Sequence, residues 1–341
     1  MKITIDLKSD TVTLPPREML QAITEAELGD DFYHEDPTTK RLEKKCAELL
    51  GKEAALLVLS GTMGNLSCVM AQAAPGTEAI VEADAHMFRS EAGGIARIAG
   101  VVPRRVPGVG GIMDPAVVEK QITKRTVLNG GTSIISIEDT HNGAGGVVIP
   151  LENLAETKKL AEKHGLLVHM DGARIFNAAV ALGVTVAEVA KHVDSLSFCL
   201  SKGLACPLGA VICGTAEMID RARHVRQVLG GGMRQAGVMA QTGIWALDNM
   251  VERLSEDHEN ASLLAQLAVE AGFGVNLDSV QTNMVRVNTS PLTSEQFRQN
   301  LLAHGIDVLV AAPDTVRFVT HWGITREHIL ETGELMKQMQ K

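Results

Sequence analysis

Short apolar runs alternate with helix-forming stretches from Ala54 to Phe198, and that alternation restricts the chain to few folds. "AALLVLSG" reads as a strand, "TMGNLSCVMAQAA" as a helix, "EAIVEAD" as a strand and "MFRSEAGGIARIAG" as a helix. Then come "VVPRRVP", the helix "DPAVVEKQIT", the strand "TSIISIED", the helix "LENLAETKKLAEKHG", the strand "LLVHMDGA" and the strand containing Phe198. A βα succession of this kind implies a mainly parallel sheet with helices on both faces. Ligands of such sheets sit beyond the carboxyl ends of the strands, so polar residues there become candidates for function.

Before this run, an extended arm leads to a short helix at 16–27 and a capped one in "EDPTTKRLEKKCAELLG". Asp36 supplies the N-cap, Pro37 the first helical position, Leu42, Cys46, Leu49 and Leu50 the apolar stripe, and Gly51 the stop. From about Arg221 the helices lengthen, two of them meeting near Asn249 or Met250. The strands "TNMVRVNT" and "TVRFVTH", with helices around 295–304 and 326–340, end the chain as an α+β segment. The 341 residues are expected to divide into a large domain over 1–250, arm included, and a small C-terminal α+β domain over 251–341.

A formal charge of −9 argues against a nucleic-acid or anionic-membrane surface, which needs a net basic footprint. "MKITIDLKSDTVTLPP" lacks an apolar core of signal-peptide length, and no later run approaches a membrane span, so a soluble cytoplasmic protein is expected. Cys46, Cys68, Cys199, Cys206 and Cys213 are scattered, odd in number and without CxxC spacing, so neither a disulfide framework nor a zinc site is expected. They read as reduced core residues, with a reactive Cys206, near Lys202 in sequence, as the lesser alternative.

Four strand ends carry unusual polar chemistry. In "SLSFCLSKGLACPLGAVICG", Lys202 stands between runs at 195–200 and 208–213 that read as buried strands. It is either a snorkelling surface lysine or a desolvated amine suited to Schiff-base chemistry. The turn Ser60-Gly61-Thr62-Met63-Gly64-Asn65 leads into a helix whose free N–H groups can hold a phosphate, although glycine turns before helices are also common punctuation. It matches neither a Walker loop nor a dinucleotide fingerprint. His86 follows "EAIVEAD"; a lone loop histidine is more often a satisfied polar residue than a catalytic one. "HMDGAR" ends an apolar strand with Asp171, and a carboxylate leaving a core needs a strong partner: Arg174, or a cationic ring nitrogen on a cofactor. Together these groups suit pyridoxal 5'-phosphate, which needs an amine for its aldehyde, a carboxylate for its pyridine nitrogen, an anion cradle and a flat group against its ring.

The chain also resembles the low-specificity L-threonine aldolases, fold-type I pyridoxal-phosphate enzymes. The matching blocks run through nearly all of it: "IDLKSDTVTLP", "GDDFYHEDPTT", "GKEAALLVLSGTMGN", "EADAHMF", "IEDTHNGAGGVVIPLE", "VHMDGARIFNAAVALGV", "CLSKGLACPLGAVICG", "LGGGMRQAGV" and "VRFVTH". The resemblance implies a large domain with a mainly parallel seven-stranded sheet flanked by helices, plus a small C-terminal α+β domain. It implies that Lys202 makes the Schiff base, Asp171 pairs with the pyridine nitrogen and His86 stacks on the ring. On the same resemblance Gly61 and Thr62 would hold the phosphate, helped by Arg234 of a neighbouring subunit, while Ser9, Arg174 and Arg317 would bind the substrate carboxylate, Arg174 lying near the cofactor as well.

The implied reaction is cleavage of the Cα–Cβ bond of L-threonine, L-allo-threonine or another β-hydroxy-α-amino acid to glycine and an aldehyde, in a homodimer or homotetramer with sites at subunit interfaces. His86 and a bound water are both candidates for the base. Alternatives are β-elimination or racemisation of a small amino acid, or a catalytically silent cofactor-binding protein. Several positions depart from the family pattern. Leu128 stands near an expected histidine, Gly131 at an arginine, Gln227 at a lysine and His34 at a glycine, and Arg89-Ser90 replaces larger aromatic residues after His86.

Overall fold

The computed structural model of the chain describes residues 3–339. Its central sheet is built from β1 (Ala54–Val58), β2 (Glu78–Glu82), β3 (Val102–Val106), β4 (Thr132–Glu138), β5 (Leu167–Asp171), β6 (Ser195–Cys199) and β7 (Ala210–Gly214). The order across the sheet is β1-β7-β6-β5-β4-β2-β3, parallel throughout except where β7 runs antiparallel to β1 and β6. This is the expected seven-stranded α/β architecture of fold-type I. Because every strand but β7 shares one direction, Ser60, His86, Asp171 and Lys202 follow strands at the same edge of the sheet. Pro103 is accommodated because β3 is an edge strand, where a missing N–H costs no ladder bond.

Strand β6 shows how one element serves both core and site. Leu196 and Phe198 point into the main apolar core, where Phe198 meets Phe176 edge to face at 5.2 Å. Ser195, Ser197 and Cys199 alternate onto the other face, against α1 (Gly61–Gln72). That helix lies close because two glycines permit it. A Cβ on Gly61 would sit 2.8 Å from Cys199 Sγ, and one on Gly64 would sit 3.1 Å from Ser197 Cβ.

The capped helix at Pro37–Leu50 forms as expected, with Asp36 accepting from Thr39 N–H and Gly51 in the left-handed region at φ 62°. The expected single helix "MFRSEAGGIARIAG" does not form. It is two short turns, His86–Arg89 and Gly94–Arg97, split where Ala92 and Gly93 take φ of 53° and 71°. The break turns Glu91 inward, where it is buried.

A second sheet of β8 (Met284–Asn288), β9 (Leu309–Ala312) and β10 (Thr315–Val319), ordered β8-β10-β9 and antiparallel, carries its own apolar cluster with Phe273, Phe297 and Phe318. The arm belongs to this cluster through Ile5 and Leu7, and Ile5–Asp6 pairs in parallel with Ile306–Asp307. The expected grouping of the arm with the large domain is therefore corrected for these residues. The position near 250 falls between the helices Gly237–Asn249 and Leu254–Glu270. No described helix is long and apolar enough to cross a membrane.

Candidate active site

A cleft of about 190 Å³ opens where β1, β5 and β6 end, lined by Gly61, Thr62, Asn65, His86, Glu91, Asp171, Ala173, Cys199, Ser201 and Lys202. Five sequence candidates, Lys202, Asp171, His86, Gly61 and Thr62, thus share one cavity. At the start of α1, Ser60 Oγ accepts from Met63 N–H, while the Gly61 and Thr62 N–H groups belong to the first helical turn, whose donors have no intrahelical acceptor.

Asp171 is buried at 3% exposure, and the groups that donate to it are neutral. Its Oδ2 accepts from Asn65 Nδ2 at 2.9 Å and its Oδ1 from the Ala173 N–H at 3.2 Å. Arg174, the in-chain cation that might have paired with it, is committed elsewhere. Its Nε and Nη2 donate to Asp10 at 2.6 and 2.7 Å in a buried fork. Burial alone would push the Asp10 carboxyl up, but the charge and hydrogen bonds of Arg174, with Lys202 behind them, hold it well below the usual carboxylate range. Among the described residues, neither Asp171 nor Lys202 forms an ion pair within the chain. A buried carboxylate lacking a cation and a half-buried amine lacking an anion, both lining one cavity, fit a ligand that brings both charges. Pyridoxal phosphate meets that condition.

Two cleft residues escaped the sequence reading as individuals. Asn65 was noted only as the end of a glycine turn, yet its side chain fastens the floor: Nδ2 also donates to Glu91 Oε1 at 2.8 Å, and Oδ1 accepts from Ser197 Oγ at 2.5 Å. His169 Nε2 lies 3.2 Å from the same Oδ1, and burial pushes this imidazole down to about 4, so it is neutral. Glu91 was hidden by the helix expected there. It lies 2.9 Å from His86 Nδ1 and, through that hydrogen bond, raises the imidazole above its ordinary value against the opposing effect of burial. Charged or polar atoms of His86, Glu91 and Asp171 all lie within 4.8 Å of one another.

The remaining candidates lie outside the cleft. Ser9 caps the turn Asp10–Val12 and accepts from Thr11 N–H at 3.2 Å. Arg317 lines a neighbouring cavity, donating to Asn142 Oδ1 at 2.8 Å and to the Lys8 carbonyl at 3.2 Å. Arg234 is 59% exposed at its side chain, with Nη1 3.3 Å from Asp30 and the guanidinium over the Phe32 ring. Cys206 is buried and donates to the Thr242 carbonyl, and burial pushes its thiol up to about 12, in keeping with the core residue expected rather than a reactive thiol. Of the departures, Leu128 is exposed, Gly131 takes φ 78°, and His34 occupies the left-handed region at φ 59°, where glycine would be less strained.

The overall architecture matches the solved structure of a Leishmania major threonine aldolase with TM-score 0.87 over 99% of this chain and 100% of that one, at 19% identity. The fold and cleft define a fold-type I enzyme of the pyridoxal-phosphate class. The beta-eliminating lyase family model matches residues 6–290, and the chain belongs to that family. It is 41% identical to low-specificity L-threonine aldolase 1 of Arabidopsis thaliana, over 98% of this chain and 96% of the relative. It is 40% identical to the low specificity L-threonine aldolase of Escherichia coli K12, over 96% and 97%.

Proposed function

We propose that this protein is a pyridoxal-phosphate-dependent aldehyde-lyase that cleaves L-threonine, L-allo-threonine or a related β-hydroxy-α-amino acid to glycine and an aldehyde. The observation that carries the reading is the commitment of Arg174 to Asp10, which leaves Asp171 for an incoming cation. Lys202 is the amine that would hold the cofactor aldehyde, Asp171 the carboxylate at its ring nitrogen, His86 the flat group against the ring, and Gly61 and Thr62 the phosphate donors. When bound, the cofactor supplies an electron sink for the pair left on Cα as the Cα–Cβ bond breaks.

The chain's own part is orientation and proton transfer. Arg317 holds the substrate carboxylate, and Arg174 and Ser9 support that end of the substrate at the junction of arm and core. His86, with Nδ1 engaged by Glu91, offers Nε2 to the β-hydroxyl proton, and the raised value of the imidazole suits it to accept one. Asn65 keeps Asp171 and Glu91 from shifting as charge develops.

The same reading includes a homo-oligomer, dimer or tetramer, in which Arg234 reaches the phosphate of a neighbouring subunit. Its exposure, beside exposed Phe32 and Tyr33, supports this.

The test is a product assay on purified holoenzyme with threonine and allo-threonine, comparing wild type with Lys202→Ala. A yellow wild type releasing glycine and aldehyde, and a colourless, inactive variant, are expected. Failure to release aldehyde from any β-hydroxy amino acid would reject the reading.

A further inference from the structure

Beside the cleft lies a second cavity of about 380 Å³, between the C-terminal sheet and the segment following His86. Arg286 on β8, Arg317 on β10, Arg89 and Asp84 line it. Arg286 and Arg317 are register partners on adjacent antiparallel strands, so their side chains leave the same face with Cβ atoms about 4.5–5.5 Å apart. Like charges placed directly opposite destabilise a sheet unless a negative group is brought to them.

Among the described residues, no acidic side chain hydrogen-bonds to either guanidinium. Arg286 donates to the Gly143 carbonyl, and Arg317 to Asn142 and the Lys8 carbonyl, all neutral acceptors. Arg317 Nε is buried without a partner. Burial, then the charge of Arg174, push the Arg317 guanidinium down to about 10, against a smaller opposing pull from the Asp10 carboxylate. Arg89 is paired with Asp84, so the cavity keeps an excess of two positive charges. One substrate carboxylate answers only one of them.

We propose that Arg286 binds a second carboxylate, carried on the β-carbon of the substrate, so that the preferred substrates are β-hydroxy-α-amino acids with an acidic side chain. This deepens the aldolase reading and rests on it. With the α-carboxylate on Arg317, the adjacent guanidinium is within reach of a group one or two bonds beyond Cβ. Arg89 and Ser90, in place of the larger residues expected after His86, keep that side of the cavity polar and open. For 3-hydroxyaspartate the reaction balances without a co-reactant. The Cα–Cβ bond breaks, its electron pair stays on Cα and takes up a proton to complete glycine, and the β-hydroxyl loses its proton as glyoxylate forms.

The experiment has a kinetic and a binding arm. On holoenzyme, kcat/KM for 3-hydroxyaspartate should exceed that for threonine at least tenfold. Arg286→Met should lower that ratio at least tenfold, with Arg286→Lys retaining part of it. By calorimetry, succinate should bind wild type at least tenfold more tightly than butyrate, and this preference should vanish in Arg286→Met. A wild-type preference for threonine, a ratio unmoved by Arg286→Met, or equal binding of succinate and butyrate overturns the proposal. If no β-hydroxy amino acid is cleaved, the aldolase reading fails, and the calorimetric comparison still decides whether the dicarboxylate site exists.

Discussion

Asp10→Asn tests the arrangement on which the functional reading depends. The substitution keeps the side chain's shape while removing the charge that holds Arg174, in a pair where Asp10 is 0% and Arg174 6% exposed. Breaking a buried pair by neutralising one partner costs about 3–5 kcal/mol, because the other charge stays desolvated and unanswered. With a urea slope of roughly 3 kcal/mol/M, a loss of ~4 kcal/mol lowers the unfolding midpoint by more than about 1 M at fixed protein concentration. The pH dependence has a definite sign. The folded-state value of Asp10 is depressed, so its contribution is present above the unfolded-state value near ~3.9 and is lost as pH falls toward the folded one. The gap between wild type and variant should therefore be widest at neutral pH and narrow in acid. The double variant Asp10→Asn/Arg174→Met should recover part of the loss, because it removes the orphaned guanidinium. A single-variant loss below about 1 kcal/mol, or a double variant less stable than Asp10→Asn, would show that Arg174 has another partner and return it as a candidate for Asp171.

Two further outcomes follow from the site and its surroundings. Asn65→Ala removes the amide that donates to Asp171 and Glu91, at about 1–3 kcal/mol for each buried carboxylate left short of a donor. Cofactor affinity by equilibrium dialysis should fall at least tenfold, and wild-type affinity would remove Asn65 from the site. Burial pushes the Asp139 carboxyl up to about 8 from an ordinary 3.8, so stability is full below the ordinary value and declines as pH rises toward 8. Asp139→Asn needs no proton, so its melting temperature should gain on wild type across that window; a difference constant with pH would contradict the burial argument.

Much of the fold was readable because it rests on local periodicity. Apolar runs with turn residues at their ends defined β1, β4, β5 and β6, and Asp36-Pro37 with Gly51 bracketed a helix whose caps the structure shows. The segment after His86 misled because its composition suits a helix, while the left-handed backbone at Ala92 and Gly93 is a tertiary requirement that brings Glu91 within hydrogen-bond reach of the imidazole. The short arm strand Ile5–Asp6 was equally hidden, since its partner lies some three hundred residues away.

The alternation that makes a mainly parallel sheet, and the lysine, aspartate and histidine that such a sheet delivers to one edge, are legible along the chain, because periodicity and strand direction are local properties. Which charges pair emerges from the packing in three dimensions. Asp171 and Arg174 are three residues apart, yet Arg174 turns to Asp10 on the arm, leaving Asp171 to the cleft. The packing also sets Arg286 against Arg317 across a strand pair with no acidic side chain hydrogen-bonded to either among the described residues. Charge pairing depends on distance and burial through space, and neither is written in the order of residues along the chain.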